Sequence, residues 1–137
     1  MEKKHIVDMH AWPRQEHYRY FGELDDPYFG ITAKADFTSC YMQSKQDGAS
    51  FFLYSLHKIL RAANAIDEFR YRVEDGNIVL YDLIGASPTI GREDGSFGFG
   101  VFEYHEDRLM MSVSVELNHG LADGYHVAQF FRLLNML

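Results

Sequence analysis

Two groups able to hold or move a proton stand four residues apart near the C-terminal end. They are His119 and Asp123, within Asn118-His119-Gly120-Leu121-Ala122-Asp123-Gly124-Tyr125-His126. Imidazole titrates near neutral pH, so a histidine held at a strand end beside a tight turn can serve as a general base. Asp123 can take either of two parts. It can orient His119, or it can cap the following helix and pair with an arginine, and the structural part is the one expected. His105 and His126 could join His119 around a metal, but the spacing fits no standard ligand pattern and no cysteine pair assists, so no metal is expected. Cys40 is the single cysteine; it can form no intrachain disulfide and is expected to be inert. Gly95-Ser96-Phe97-Gly98-Phe99-Gly100 lacks the lysine and helix context of a phosphate-binding loop.

The elements that must position these groups follow from periodicity. Leu109, Met111, Val113, Val115 and Leu117 alternate with Met110, Ser112, Ser114, Glu116 and Asn118, which predicts a long strand with one apolar face. Asp123 then opens a helix whose buried stripe is Val127, Phe130, Phe131 and Leu134. From Phe29 to Phe37, Ile31, Ala33, Ala35 and Phe37 alternate with Thr32, Lys34 and Asp36, a second half-buried strand. A short strand is expected over 5–9. Trp12-Pro13 leads into a helix from Arg14 to Phe21 that ends near Gly22, and Asp25-Asp26-Pro27 is a turn. Thr38-Ser39 is expected to cap a short helix stopped by Asp47-Gly48. Ser50 to Ala65 carries Phe52, Leu56, Ile59, Leu60 and Ala63 at helical spacing, which predicts a helix with that stripe inward. Asp75-Gly76 between 70–74 and 77–82 is a two-residue hairpin signal. A loop is expected over 85–95, a strand from Ser96 to Tyr104, and a solvated loop at Tyr104-His105-Glu106-Asp107. Helices and strands interleaved in this way give an α/β or α+β layered domain, read as one unit over 1–137.

Bulk properties narrow the partners. The 137 residues are 47% apolar and 15% aromatic, enough for a real core, and the formal net charge is −7. That balance disfavours nucleic acid, which needs a basic stripe, and an anionic membrane surface. No apolar run approaches a membrane span. No apolar segment follows Met1-Glu2-Lys3-Lys4-His5, so no signal peptide is expected, and with a single cysteine a cytoplasmic location is expected.

His119-x-x-x-Asp123-Gly124 resembles the HHxxxDG signature of chloramphenicol acetyltransferases and their wider coenzyme-A-dependent acyltransferase relatives, the dihydrolipoyl acyltransferases among them. Three further stretches extend the resemblance in order along the chain. Val7-Asp8-Met9-His10-Ala11-Trp12-Pro13-Arg14-Gln15-Glu16-His17-Tyr18 is similar to the family's opening W-x-R-x-E-H-F segment. Phe51 to Tyr81, with Asn64-Ala65-Ile66-Asp67-Glu68-Phe69-Arg70-Tyr71 and Asp75-Gly76, resembles its central helix and hairpin. Tyr104-His105-Glu106-Asp107 looks like its Y-H-x-D stretch. The fold implied is the family's mixed β-sheet with packed helices.

The resemblance also implies a chemistry. His119 would be the general base, taking the proton of an acceptor hydroxyl as that oxygen attacks the thioester of acetyl-coenzyme A, within a ternary complex and with no acyl-enzyme. Arg14 would pair with Asp123 as structural support. Phe21, Tyr28 and Phe29 match the region that lines the acceptor pocket for a small hydroxyl compound such as chloramphenicol. The assembly implied is a homotrimer with active sites at subunit interfaces. Two departures stand out. Asn118 replaces the first histidine of the doublet. The chain also passes from Glu106-Asp107 almost directly to Arg108-Leu109-Met110, where the family carries a large central segment. That segment holds the serine that stabilises the oxyanion, and no S-F-T-S-like run is present. The expectation is an acetyltransferase lacking the segment between 107 and 108. The alternatives are an inactive shortened member acting as a binding or structural module, or an acyltransferase for another acceptor.

Overall fold

A computed structural model describes residues 3–85 and 102–137, with the backbone alone over 102–105. Two three-stranded sheets form, and every described strand pair is antiparallel. The first sheet is ordered β1 (Lys4–Ile6), β4 (Asn77–Tyr81), β3 (Tyr71–Glu74). The second is ordered β2 (Tyr28–Asp36), β6 (Arg108–Asn118), β5 (Phe102–His105). Helix α1 covers Gln15–Gly22, α2 Thr38–Gln46, α3 Phe51–Asn64 and α4 Gly124–Met136, with a 3-10 turn at Asp67–Phe69. No helix among the described residues is long and apolar enough to cross a membrane.

Strands β2 and β6 pair along nearly their whole lengths, from Tyr28 opposite Asn118 to Asp36 opposite Met110. Their alternation is what the sequence predicts. Ala35, Leu109 and Met111 are buried, while Thr32 and Ser114 meet on the outer face through a 2.7 Å hydroxyl contact. The buried faces meet α3 and α4 in one core built from Ala35, Phe37, Ala62, Phe69, Met111, Val127, Phe130 and Leu134. A smaller core gathers Trp12, Ile78 and Leu121. The Asp75-Gly76 turn has φ of 49° and 77°, the left-handed pair that a type I′ hairpin requires and that glycine adopts freely.

Several expectations change in detail. The first strand is confined to Lys4–Ile6 rather than 5–9. The expected strand over 96–104 is described only from Phe102, where β5 begins; 96–101, the glycine-rich run and nearly all of the 85–95 loop lie outside the described residues. Residues 104–107 are not a loose loop. They form the end of β5 and a two-residue turn, Glu106 and Asp107, both at positive φ, that places His105 opposite Arg108. Thr38 does not cap α2. It is the first helical residue, its hydroxyl donates to the Asp36 carboxylate at 2.5 Å, and it accepts from Leu109 N–H at 2.9 Å.

Helix α3 is also rotated from its expected stripe. Its fully buried positions are Ser55, Lys58, Ala62 and Ala63, and Phe52, Leu56 and Leu60 are half-buried. The helix lies between α2 and α4, and small side chains on the inward stripe let it approach both. Lys58, 6% exposed, satisfies one donor on the Asp36 carbonyl at 2.7 Å and sits over the Phe37 ring. Phe37 is wholly buried between these elements. Phe37→Ala should cost about 3–5 kcal/mol in urea unfolding; a loss below about 1 kcal/mol would show that this core does not depend on it.

Candidate active site

β6 ends at Asn118, and the chain turns through 119–123 into α4. Each residue of the turn has a defined task. Asn118 Oδ1 accepts the Gly120 N–H at 2.8 Å, and its carbonyl accepts from Leu121 and Ala122. Asparagine in place of a histidine therefore still folds the turn locally. Gly120 lies against helix α1. A Cβ there would stand 3.0 Å from Tyr18 Cδ1 and 3.2 Å from its Cα, so no larger residue fits without shifting the backbone of α1. Asp123 caps α4, its carboxylate accepting from Tyr125 N–H at 3.0 Å, while the Asp123 N–H donates to His126 Nδ1 at 3.0 Å.

Arg14 closes the turn from outside. Its guanidinium donates to the His119 carbonyl at 3.1 Å, the Gly120 carbonyl at 3.4 Å and the Asp123 carboxylate at 3.2 Å. The arginine side chain is 12% exposed and the aspartate 32%. Arg14 is set by its neighbour Trp12, which packs on Tyr71 and Tyr18 in the smaller core. Helix α1 has no fully buried residue of its own, so these two side chains anchor its start. Burial raises the pKa of Asp123, but the Arg14 hydrogen bond and charge, the neighbouring His126 ring and the Tyr125 N–H outweigh it and hold the carboxyl below its ordinary range.

The His119 main chain is fixed a second time, its N–H donating to the Pro27 carbonyl at 2.8 Å. Its half-buried ring stacks on Phe21, with centroids 4.1 Å apart and planes 11° apart, and leans on Phe29 at 4.6 Å. Nδ1 is buried with no hydrogen-bond partner. Tyr28, next on β2, lies on the face opposite Phe29. It is 56% exposed and lines a cleft of about 440 Å³ with Asn118, Glu116, Phe69 and Arg72. The structure thus gathers Arg14, Asp123, Phe21 and Phe29 around His119 and sets Tyr28 beside it. His105 belongs to the β5 end of the second sheet, and no group of three or more metal-binding side chains occurs among the described residues. Burial pushes the Cys40 thiol up.

The sequence did not reveal what His126 and Glu68 do together. Glu68, in the 3-10 turn, approaches His126 Nε2 at 3.4 Å, with both side chains largely shielded. Because His126 Nδ1 accepts from Asp123, Nε2 is the nitrogen that carries hydrogen toward Glu68. A chain of contacts therefore runs from Arg14 through Asp123 and His126 to Glu68. The signal for His126 was its place three residues after an aspartate cap. Glu68 left none, because a one-turn 3-10 segment has no periodicity.

Residues 3–106 match the family model for chloramphenicol acetyltransferase. The chain belongs to the chloramphenicol acetyltransferase family. Chloramphenicol acetyltransferases of Klebsiella sp and Escherichia coli are 30% identical to it over 112 residues, covering 78% of this chain and 51% of theirs. The chain thus spans about half the length of these curated relatives. Chloramphenicol acetyltransferase 2 of Escherichia coli aligns over 202 positions at 19% identity, covering 96% of this chain and 95% of that one. A solved chloramphenicol acetyltransferase superposes with a TM-score of 0.82 at 25% identity, over 98% of this chain and 97% of that one. The α/β layered class expected from sequence is the class of that chloramphenicol acetyltransferase fold.

The Arg14–Asp123 pair predicts a pH signature. The folded-state pKa of Asp123 is lowered, so its stabilisation is full above about pH 4 and is lost as pH falls through the lower folded value. Asp123→Asn should cost about 2 kcal/mol at neutral pH, less than a fully buried pair because water screens part of it. The gap from the parent protein should shrink in acid. A gap that stays constant in urea titrations down to pH 2 would show that the charge of Asp123 contributes nothing.

Proposed function

We infer that this protein transfers an acetyl group from acetyl-coenzyme A to a hydroxyl of a small acceptor such as chloramphenicol, with His119 as general base. The observation that carries this reading is the state of the His119 ring: clamped through its own main chain by Arg14 and Pro27, and flanked on its faces by Phe21 and Phe29. Of its two nitrogens, Nδ1 is the buried one. Nδ1 carries the hydrogen and Nε2 presents its lone pair to the acceptor hydroxyl. Nε2 takes that proton as the acceptor oxygen bonds to the thioester carbonyl carbon. Collapse of the tetrahedral intermediate expels the coenzyme A thiolate, which recovers a proton from the imidazolium. Acetyl ester and free thiol leave. Stacking on Phe21 also suits a ring that becomes cationic part-way through the reaction.

Asp123 and Arg14 act here as positioning groups for the turn, and Phe21, Phe29 and Tyr28 as one wall of the acceptor site. A homotrimer with His119 near a neighbouring protomer is the assembly the resemblance implies, and the exposed apolar side chains of Tyr20, Leu24 and Tyr28 are in keeping with it. A cytoplasmic location goes with this co-substrate. Residues 1–137 act as one acyltransferase-like unit, with the family's central segment taken to be missing between 107 and 108, where a two-residue turn joins β5 to β6.

That turn also favours a second reading. The resemblance places the oxyanion-stabilising serine in the missing segment, and loss of such a donor typically lowers the rate about 10²–10³-fold. The chain would then bind coenzyme A without turnover. Thiol release from acetyl-coenzyme A, followed with chloramphenicol and a panel of other hydroxyl compounds, separates the two. Turnover that falls about 10²–10⁴-fold in His119→Ala supports the base. Equal rates in parent and variant remove His119 from the mechanism. Coenzyme A binding in a thermal shift without turnover favours the second reading.

A further inference from the structure

The turn that carries His119 is held by Arg14 on one side and by the cap of α4 on the other. Asp123 belongs to both and is fixed at three atoms. Its carboxylate meets Arg14 through Oδ2 at 3.2 Å and the Tyr125 N–H through Oδ1 at 3.0 Å, and its own N–H donates to His126 Nδ1 at 3.0 Å. In the third contact a histidine stands where a capping box commonly carries Glu or Gln. Those side chains always have an acceptor oxygen to offer. Histidine accepts through Nδ1 only while that nitrogen carries no hydrogen, so this cap depends on where the ring hydrogen sits.

The surroundings of the ring bear on that choice. The Asp123 carboxylate lies 3.3 Å from Nδ1, the Tyr125 ring stands edge-on with centroids 5.6 Å apart, and the Glu68 carboxylate lies 3.4 Å from Nε2. Glu68 comes from the 3-10 turn that follows α3. An acceptor at Nε2 favours hydrogen there and leaves the Nδ1 lone pair for the Asp123 N–H. Phe69, the next residue, is buried and stacks on Phe130, one turn beyond His126 on α4, with centroids 5.1 Å apart. This contact docks the 3-10 turn on α4 without help from the side chain at 68.

We propose that Glu68 is a positioning residue for His119. It selects the Nε2–H form of His126, and that form caps α4 through the Asp123 N–H. The cap sets the Asp123 carboxylate where Arg14 grips it together with the His119 and Gly120 carbonyls. The bearing of Glu68 on rate rests on the reading of His119 as general base; its bearing on the cap does not.

Nitrogen–proton NMR of the His126 imidazole and hydrogen exchange at the Asp123 amide, both near neutral pH, test the cap without turnover. The parent protein is expected to carry hydrogen on Nε2 alone. Glu68→Leu is expected to mix the two tautomers and to speed Asp123 exchange roughly fivefold or more. Glu68→Gln, whose amide oxygen can accept from Nε2–H, should stay close to the parent. In a His126→Gln background, where the capping side chain has no tautomers, Glu68→Leu should change Asp123 exchange by less than about twofold. In acetyl transfer, kcat of Glu68→Leu should fall several-fold with KM little changed, and Glu68→Gln should restore it.

Hydrogen on Nδ1 of His126 in the parent, with or without hydrogen on Nε2, would overturn the proposal. So would Asp123 exchange indifferent to Glu68→Leu, or an equal acceleration in the His126→Gln background, because Glu68 would then not act through His126. A raised KM with unchanged kcat would overturn it too, since Glu68 borders the cleft beside Tyr28 and would then be touching the acceptor. If His119→Ala leaves the rate unchanged, the general-base reading fails by itself, and the two cap measurements still decide the role of Glu68.

Discussion

The site depends on one guanidinium. Arg14 reaches two successive main-chain carbonyls and one carboxylate of the turn that joins β6 to α4. Arginine suits this because its donors are fixed in a plane and stay charged at any physiological pH. No other side chain could bind His119 and Gly120 through their carbonyls and at the same time neutralise the aspartate that caps α4. The arginine comes from the chain's opening segment and the turn from its closing one, so the contact also ties the ends of the described chain together.

The rest of the architecture serves to bring these two segments into register. Pairing of β2 with β6 runs up to Tyr28 and Asn118, which sets the Pro27 carbonyl under the His119 N–H and Phe29 under its ring. Trp12 and Leu121 share the smaller core, so the residues flanking the arginine and those flanking its target are packed on one another. Gly120 permits the close approach of α1 that this demands. At the other end of the second sheet, Asp36 joins Thr38, Arg108 and, through its carbonyl, Lys58. Burial there works against the ionised carboxyl, but Thr38 and Arg108 prevail and hold its pKa below the ordinary range.

What the sequence revealed was what repeats or what has one physical solution. Alternation over β2 and β6, the apolar stripe of α4, the Asp123 cap and the Asp75-Gly76 turn are local patterns, and each formed as expected. The pairing of Arg14 with Asp123 lies 109 residues apart and was reachable only through resemblance to a family. Three features stayed hidden for physical reasons. The inward face of α3 is chosen by how closely α2 and α4 can approach, which favours Ser55 and Ala62 over the larger Leu56. Lys58 reads as a surface residue until the Asp36 carbonyl supplies a partner. Glu106-Asp107 makes its turn with two non-glycine residues at positive φ, a conformation that side chains disfavour and that no turn signal in the sequence announces.

The central proposal is that His119, its main chain held by Arg14 and Pro27, keeps hydrogen on Nδ1 and offers the Nε2 lone pair to the acceptor. Long-range nitrogen–proton NMR of the imidazole, in the parent protein and in Arg14→Gln, reads this state directly. The account predicts a single Nδ1–H tautomer for His119 at neutral pH, giving way to a mixture when the arginine is lost. An Nε2–H ring in the parent protein, or a ring indifferent to Arg14→Gln, would contradict it.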